Sequence, residues 1–144
     1  MKRFILTISL ACVALTLFDS GYSDKIDYHV VDNLSDWEIF TLALIDVESN
    51  GDSLAVGHTN DLGILQLTPI YVEDVNRICG EERYTLENRK SRTKSLEMFE
   101  IMQEYYNPTK DIAKGIKLHN PNAGDWYAER IYKRMEQLKK LNYG

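Results

Sequence analysis

The chain has 144 residues, with 17 Lys+Arg against 22 Asp+Glu, 44% hydrophobic residues and 10% aromatics. That composition excludes a disordered polymer, a collagen-like repeat and a multi-span membrane protein. The formal net charge of −5 argues against nucleic acid or an anionic lipid surface as a partner, because both attract proteins through excess cations.

The N-terminus reads as a signal for export. Lys2 and Arg3 precede an apolar run over residues 4–18 that is broken only by Thr and Ser, and Gly21 and Ser23 place small residues at −3 and −1 of a cut before Asp24. This is the layout of a secretory signal peptide at 1–23. The run is too short for the ~20 residues of a spanning helix, so no stable membrane anchor is expected after cleavage. Loss of Lys2, Arg3 and Asp19 leaves 15 Lys+Arg against 21 Asp+Glu, a net charge of −6. Residues 24–144 suffice for one domain with one core. Cys79 is its sole cysteine, which precludes an intrachain disulfide. His29, His58, His119 and Cys79 share no metal-ligand spacing, so no metal site is expected.

In chain order, residues 36–48 form the first predicted helix, with Trp37, Phe40, Leu44 and Val47 at three- and four-residue steps and Ser35 or Asp36 as cap. Asn50, Gly51, Asp52 and Ser53 stop it. The apolar run 62–67 is too short to be assigned to strand or helix by periodicity. Thr68 and Pro69 open a second helix to about Ile78, as cap and first helical residue. A polar connection spans 79–92. Met98, Ile101, Met102 and Tyr105 mark a third helix over 94–106, ended by Asn107-Pro108. A short helix over 110–118 presents Ile112, Ala113 and Ile116, and His119-Asn120-Pro121-Asn122 is a loop. Asp125 is read as the cap of a terminal helix with Tyr127, Ile131, Met135 and Leu138 on one face. The expected architecture is a mostly α single domain with a short irregular or β-like segment around residues 50–67.

Glu48 is the residue with the clearest chemical potential. It ends an apolar helix and directly precedes a glycine-containing turn. A carboxyl in that position should be partly desolvated, which raises its pKa and suits a general acid. Asp46 points to a different helix face, and Asp52 and Asp61 read as solvated turn residues, so no second catalytic carboxylate stands out.

Glu48-Ser49 is followed by Ala55 and then by Gly63-Ile64-Leu65-Gln66-Leu67-Thr68-Pro69. This resembles the lytic transglycosylases of the lysozyme-like superfamily, whose motif is E-S, a loop with a small residue, then G-L-M-Q and a nearby Pro. The eighteen positions from Glu48 to Gln66 match the family's spacing. His119-Asn120 falls where the family often has Y-N-A-G, with Asn122-Ala123-Gly124 as an alternative register. The resemblance implies a lysozyme-like fold and peptidoglycan glycan strands as substrate. Glu48 would first protonate the bridging oxygen between N-acetylmuramic acid and N-acetylglucosamine. The same carboxyl, now anionic, would deprotonate the muramic C6 hydroxyl and close a 1,6-anhydro ring, with no cofactor.

The companion residues have physical reasons of their own. Gly63 would let backbone approach a sugar, and Gln66 offers a donor and an acceptor to a hydroxyl or N-acetyl group. Ser49 could orient the carboxyl or bond the turn. Asn120 could bind an N-acetyl group or hold a positive φ, and Tyr127 could stack on a sugar face. His119 replaces the family's tyrosine, which leaves open a non-catalytic exported domain that holds glycan, within an envelope or phage-derived assembly; a water placed by Asp52 or Asp61 would instead make a lysozyme-type hydrolase. The location implied is outside the cytoplasm, periplasmic or extracellular.

Overall fold

A computed structural model describes residues 34–142, with side chains through 140; the proposed signal peptide lies outside the described residues. Among the described residues five α-helices follow one another: α1 (Asp36–Ser49), α2 (Pro69–Cys79), α3 (Arg92–Tyr106), α4 (Ile112–His119) and α5 (Asp125–Asn142). A 3-10 helix at Leu86–Lys90 interrupts the polar connection before α3. No helix among the described residues is long and apolar enough to cross a membrane.

Helix α1 is the centre of the fold. Ser35 closes a reciprocal cap with Glu38: the Glu38 N–H donates to Ser35 Oγ at 3.3 Å, and the Ser35 N–H donates to Glu38 Oε2 at 2.7 Å. The periodicity predicts one apolar face, but every residue from Trp37 to Ile45 except Glu38 is buried. A helix enclosed on all sides is read only partly by a one-face pattern. Its Trp37 and Phe40 rings meet Phe99 of α3 at centroid distances of 6.1 and 6.3 Å. Helix α4 can lie against the same rings because position 115 is glycine: a Cβ there would stand 3.0 Å from Phe40 and 3.2 Å from Trp37. Helix α5 packs along α1 and closes the core with Tyr127, Ile131, Met135 and Leu138.

Local signals set most helix ends. Thr68 caps α2 through the Tyr71 N–H, with Pro69 at the first position and Gly80 at φ 72° beyond the end. Helix α3 begins at Arg92 rather than Lys94 because Ser91 is its cap. Helix α4 begins at Ile112, capped by Asp111, rather than at Lys110. Between them the fully buried Asn107 donates from Nδ2 to Gln103 Oε1 and to the Asp111 carbonyl, fixing the corner. Asp125 is the first residue of α5 rather than a cap outside it.

Residues 50–67 form turns, not a regular strand. Two isolated antiparallel bridges, Val56 with Leu62 and Leu62 with Leu67, are the only β-type pairing among the described residues. Five of its residues, Asn50, Gly51, Asn60, Gly63 and Gln66, have positive φ, which explains why periodicity fails there. Leu62, Ile64, Leu65 and Leu67 are nonetheless buried, so the segment is folded onto the core.

Candidate active site

Glu48 lies in the last turn of α1, just before Asn50 reverses the chain at φ 54°. Its side chain retains 15% of its exposure, so the carboxyl is mostly enclosed but keeps a solvent-facing edge. Two residues from distant parts of the chain converge on its Oε1. The Tyr127 hydroxyl, from the first turn of α5, donates a hydrogen bond to it. His119 Nε2, from the last residue of α4, stands 3.5 Å away with its side chain only 4% exposed. The His119 ring is held in place by edge contacts to Tyr71 and Phe99, at centroid distances of 6.2 and 6.0 Å.

The electrostatics correct one expectation. Burial pushes the Glu48 carboxyl up, as anticipated, and is the largest single influence. Against it act His119, the Tyr127 hydrogen bond and the Arg130 guanidinium, and together they hold the carboxyl below the ordinary glutamate value of 4.5. The free protein therefore stabilises the anion of Glu48. Burial and the adjacent Glu48 carboxylate push the Tyr127 phenol up, so it remains a donor. The site thus offers a carboxylate with a neutral hydroxyl donor and an imidazole at one oxygen, with a guanidinium nearby.

The remaining candidates serve mostly to hold the turn segment. Ser49 Oγ donates to the Ile64 carbonyl at 2.9 Å and accepts from the Gly51 N–H at 3.1 Å, so it ties loop to helix rather than bonding to Glu48. Gln66 Nε2 donates to the carbonyls of Ala55 and Gly63, both at 2.9 Å, bracing the loop from within. Gly63 has φ 82°, and a Cβ there would lie 1.9 Å from the Arg89 carbonyl oxygen. Its close approach is therefore to the chain's own backbone. Asn120 follows α4 at φ −134°, not at a positive φ, and its N–H donates to the Ile116 carbonyl. Asp46 pairs with Arg134 at 2.7 Å, Asp52 accepts from the Leu54 N–H, and Asp61 accepts from Thr59. No group of His, Cys, Asp and Glu among the described residues could hold a metal.

One participant escapes the sequence reading, and another has a role it does not show. Arg89, buried at 3% exposure, donates from Nη1 to the carbonyls of Asn60 and Leu67 and from Nε to that of Leu86. Nothing in a polar connection distinguishes such an arginine from a solvated one. Tyr127 is legible as part of the apolar face of α5 and as a candidate for a sugar face, but its hydroxyl bond to Glu48 is not, because the two residues lie far apart in the sequence.

Residues 32–138 match the family model described as Transglycosylase SLT domain. No curated protein and no solved structure matches the chain. The match runs from before α1 into α5 and includes Glu48, the turn segment, His119 and Tyr127. Because it covers most of the chain, and because the fold is the single, mostly helical domain expected of that lysozyme-like superfamily, the chain belongs to the SLT transglycosylase domain family, whose lytic activity is directed at peptidoglycan.

Proposed function

We propose that this protein is an exported lytic transglycosylase that cleaves the β-1,4 bond between N-acetylmuramic acid and N-acetylglucosamine, with Glu48 as acid and then base. The observation that carries the reading is the convergence of Tyr127 and His119 on one oxygen of a mostly buried carboxyl at the end of α1. Such a pair fixes the orientation of the carboxyl and leaves its other oxygen for the glycan.

The chemistry follows from the charge balance. The protonated minority of Glu48 gives its proton to the bridging oxygen as the glycosidic bond breaks. The muramic 2-acetamido oxygen stabilises the positive centre at C1. Glu48, now in the anionic form that its neighbours favour, takes the proton of the C6 hydroxyl as its oxygen bonds to C1. The carboxyl is protonated again at the end of the cycle, so one residue suffices and no cofactor enters. The neighbours' preference for the anion makes Glu48 a stronger acid and a weaker base, and it lowers the fraction that carries a proton in the free protein, which gives the reaction an acidic pH dependence.

Mass analysis of the fragments released from peptidoglycan by the purified protein tests this reading. Products lighter by one water than those of hydrolysis support 1,6-anhydro ring closure. Reducing ends of full hydrolytic mass would instead establish a lysozyme-type hydrolase. Glycan binding without any cleavage would make it a binding domain. Export with loss of residues 1–23 is checked by the N-terminal residue of protein recovered outside the cytoplasm, expected to be Asp24.

A further inference from the structure

The seam between α1 and α5 carries an open concavity near Glu48. Arg130, Lys133 and Arg134 recur at three- and four-residue steps on α5 and so share a face. Opposite them stand Asp46, Val47 and Asn50 from the end of α1, and together they line an open hollow of about 330 Å³. That volume lies at the small end of ligand pockets and suits a fragment the size of an amino acid.

Its charge is opposite to that of the chain. Three cations face one carboxylate here, although the whole sequence has a net charge of −5. Asp46 is already engaged with Arg134 at 2.7 Å. The Arg130 guanidinium lies over the Trp126 ring, 5.9 Å from its centroid. Lys133 forms no ion pair among the described residues. These cations also face the carbonyl end of α1, whose last turn has no basic residue of its own. That role requires charge alone, and the open hollow between the two helices is additional to it.

The position relative to Glu48 suggests the ligand. Tyr127, which donates to Glu48, precedes Arg130 by three residues, or ~4.5 Å of helix rise. The pocket therefore opens about one turn along α5 from the carboxyl that attacks the glycan. On the peptidoglycan reading, the muramic residue at the cleaved bond carries a peptide with free carboxylates. We infer that the α1–α5 pocket binds a carboxylate of that peptide through Lys133 and Arg130, so that the protein reads the peptide as well as the sugar.

The inference rests on the proposed substrate but is tested without cleavage. The full chain bearing Glu48→Gln is titrated with N-acetylmuramyl dipeptide as its free acid and as its amide. The acid is expected to bind about twofold to fivefold more tightly, the range for an exposed charge pair. Adding Lys133→Glu should erase that preference while leaving the affinity for the amide unchanged. Equal binding of acid and amide, an equal loss of both in the Lys133→Glu protein, or no binding of either would overturn it. A second arm compares KM for glycan bearing peptides with KM for glycan stripped of them by an amidase. Lys133→Glu should raise only the former, and an equal rise in both would overturn the inference. If the wild-type chain cuts neither glycan, the lytic reading fails, while the acid–amide contrast still decides the pocket.

Discussion

The helical frame and the turn segment that follows Glu48 are held together by different forces. Around α1 the stabilisation comes from apolar burial: Phe40, Leu44 and Ile45 are fully enclosed, and Phe99, Met98 and Ile131 close over them. In residues 50–67 the backbone itself is the problem. Its backbone bonds are scattered turns and two isolated bridges rather than a ladder, and isolated side chains must reinforce them. Arg89, Gln66 and Ser49 do so. The comparison teaches that a motif can be legible for one reason and present for another. Gln66 and Gly63 have the spacing of a substrate-binding motif, while their visible bonds and close approaches are to the chain's own backbone. The groups that touch Glu48 come instead from α4 and α5, some seventy residues away in the sequence.

The comparison can be broken most severely at the carboxyl. Glu48→Gln keeps the shape and removes the exchangeable acid proton, so the rate of glycan cleavage should fall about 10²- to 10⁴-fold with the unfolding midpoint nearly unchanged. Full cleavage by that variant would refute the proposed chemistry. Arg89→Ala is the counterpart in the turn segment. It removes three hydrogen bonds, to the carbonyls of Leu86, Asn60 and Leu67, the last of which keeps the Leu62 N–H, and the loss should approach about 3 kcal/mol in urea unfolding. A variant as stable as the wild type would show that the loop is held by its apolar residues after all.

Gln66→Ala should cost less, about 2 kcal/mol for two neutral hydrogen bonds. It sharpens the comparison because a bracing role lowers stability, whereas a purely sugar-binding role raises KM at constant stability. Tyr127→Phe removes a donor that favours the Glu48 anion. Its carboxyl pKa should rise, so kcat/KM, which needs the protonated form, should begin its decline at higher pH than in the wild type. An unshifted profile would mean that the Tyr127 bond does not govern the ionisation of Glu48.

The smallest effect concerns stability against pH. Because folding lowers the pKa of Glu48 below its ordinary 4.5, its ionisation stabilises the fold above that value, and the contribution disappears as pH falls through the folded-state value. The wild type should lose stability relative to Glu48→Gln over that acidic window. Parallel curves for the two proteins would contradict the direction assigned here.

How much could be read in advance depends on the range of the interaction. The caps at Ser35 and Thr68, the first-position Pro69 and the apolar face of α5 are written within a few residues, and the structure realises them. The starts of α3 and α4 were displaced by two residues because Ser91 and Asp111 compete as caps with the more obvious turn signals nearby. The direction of the Glu48 pKa was misread for a deeper reason. Desolvation follows from the helix to which the residue belongs, but the opposing groups belong to α4 and α5 and have no mark near position 48.

By itself, then, the order of residues determined that this chain would be a small helical domain with a carboxyl at the end of an apolar helix, because helix periodicity and capping are local properties of a chain. Only the tertiary structure decided what that carboxyl faces. The approach of His119 and Tyr127 to the same oxygen depends on α4 resting against α1 at Gly115 and on α5 lying along it. Those are packing events between segments far apart in the chain, so their chemistry is created by folding rather than carried in any one motif.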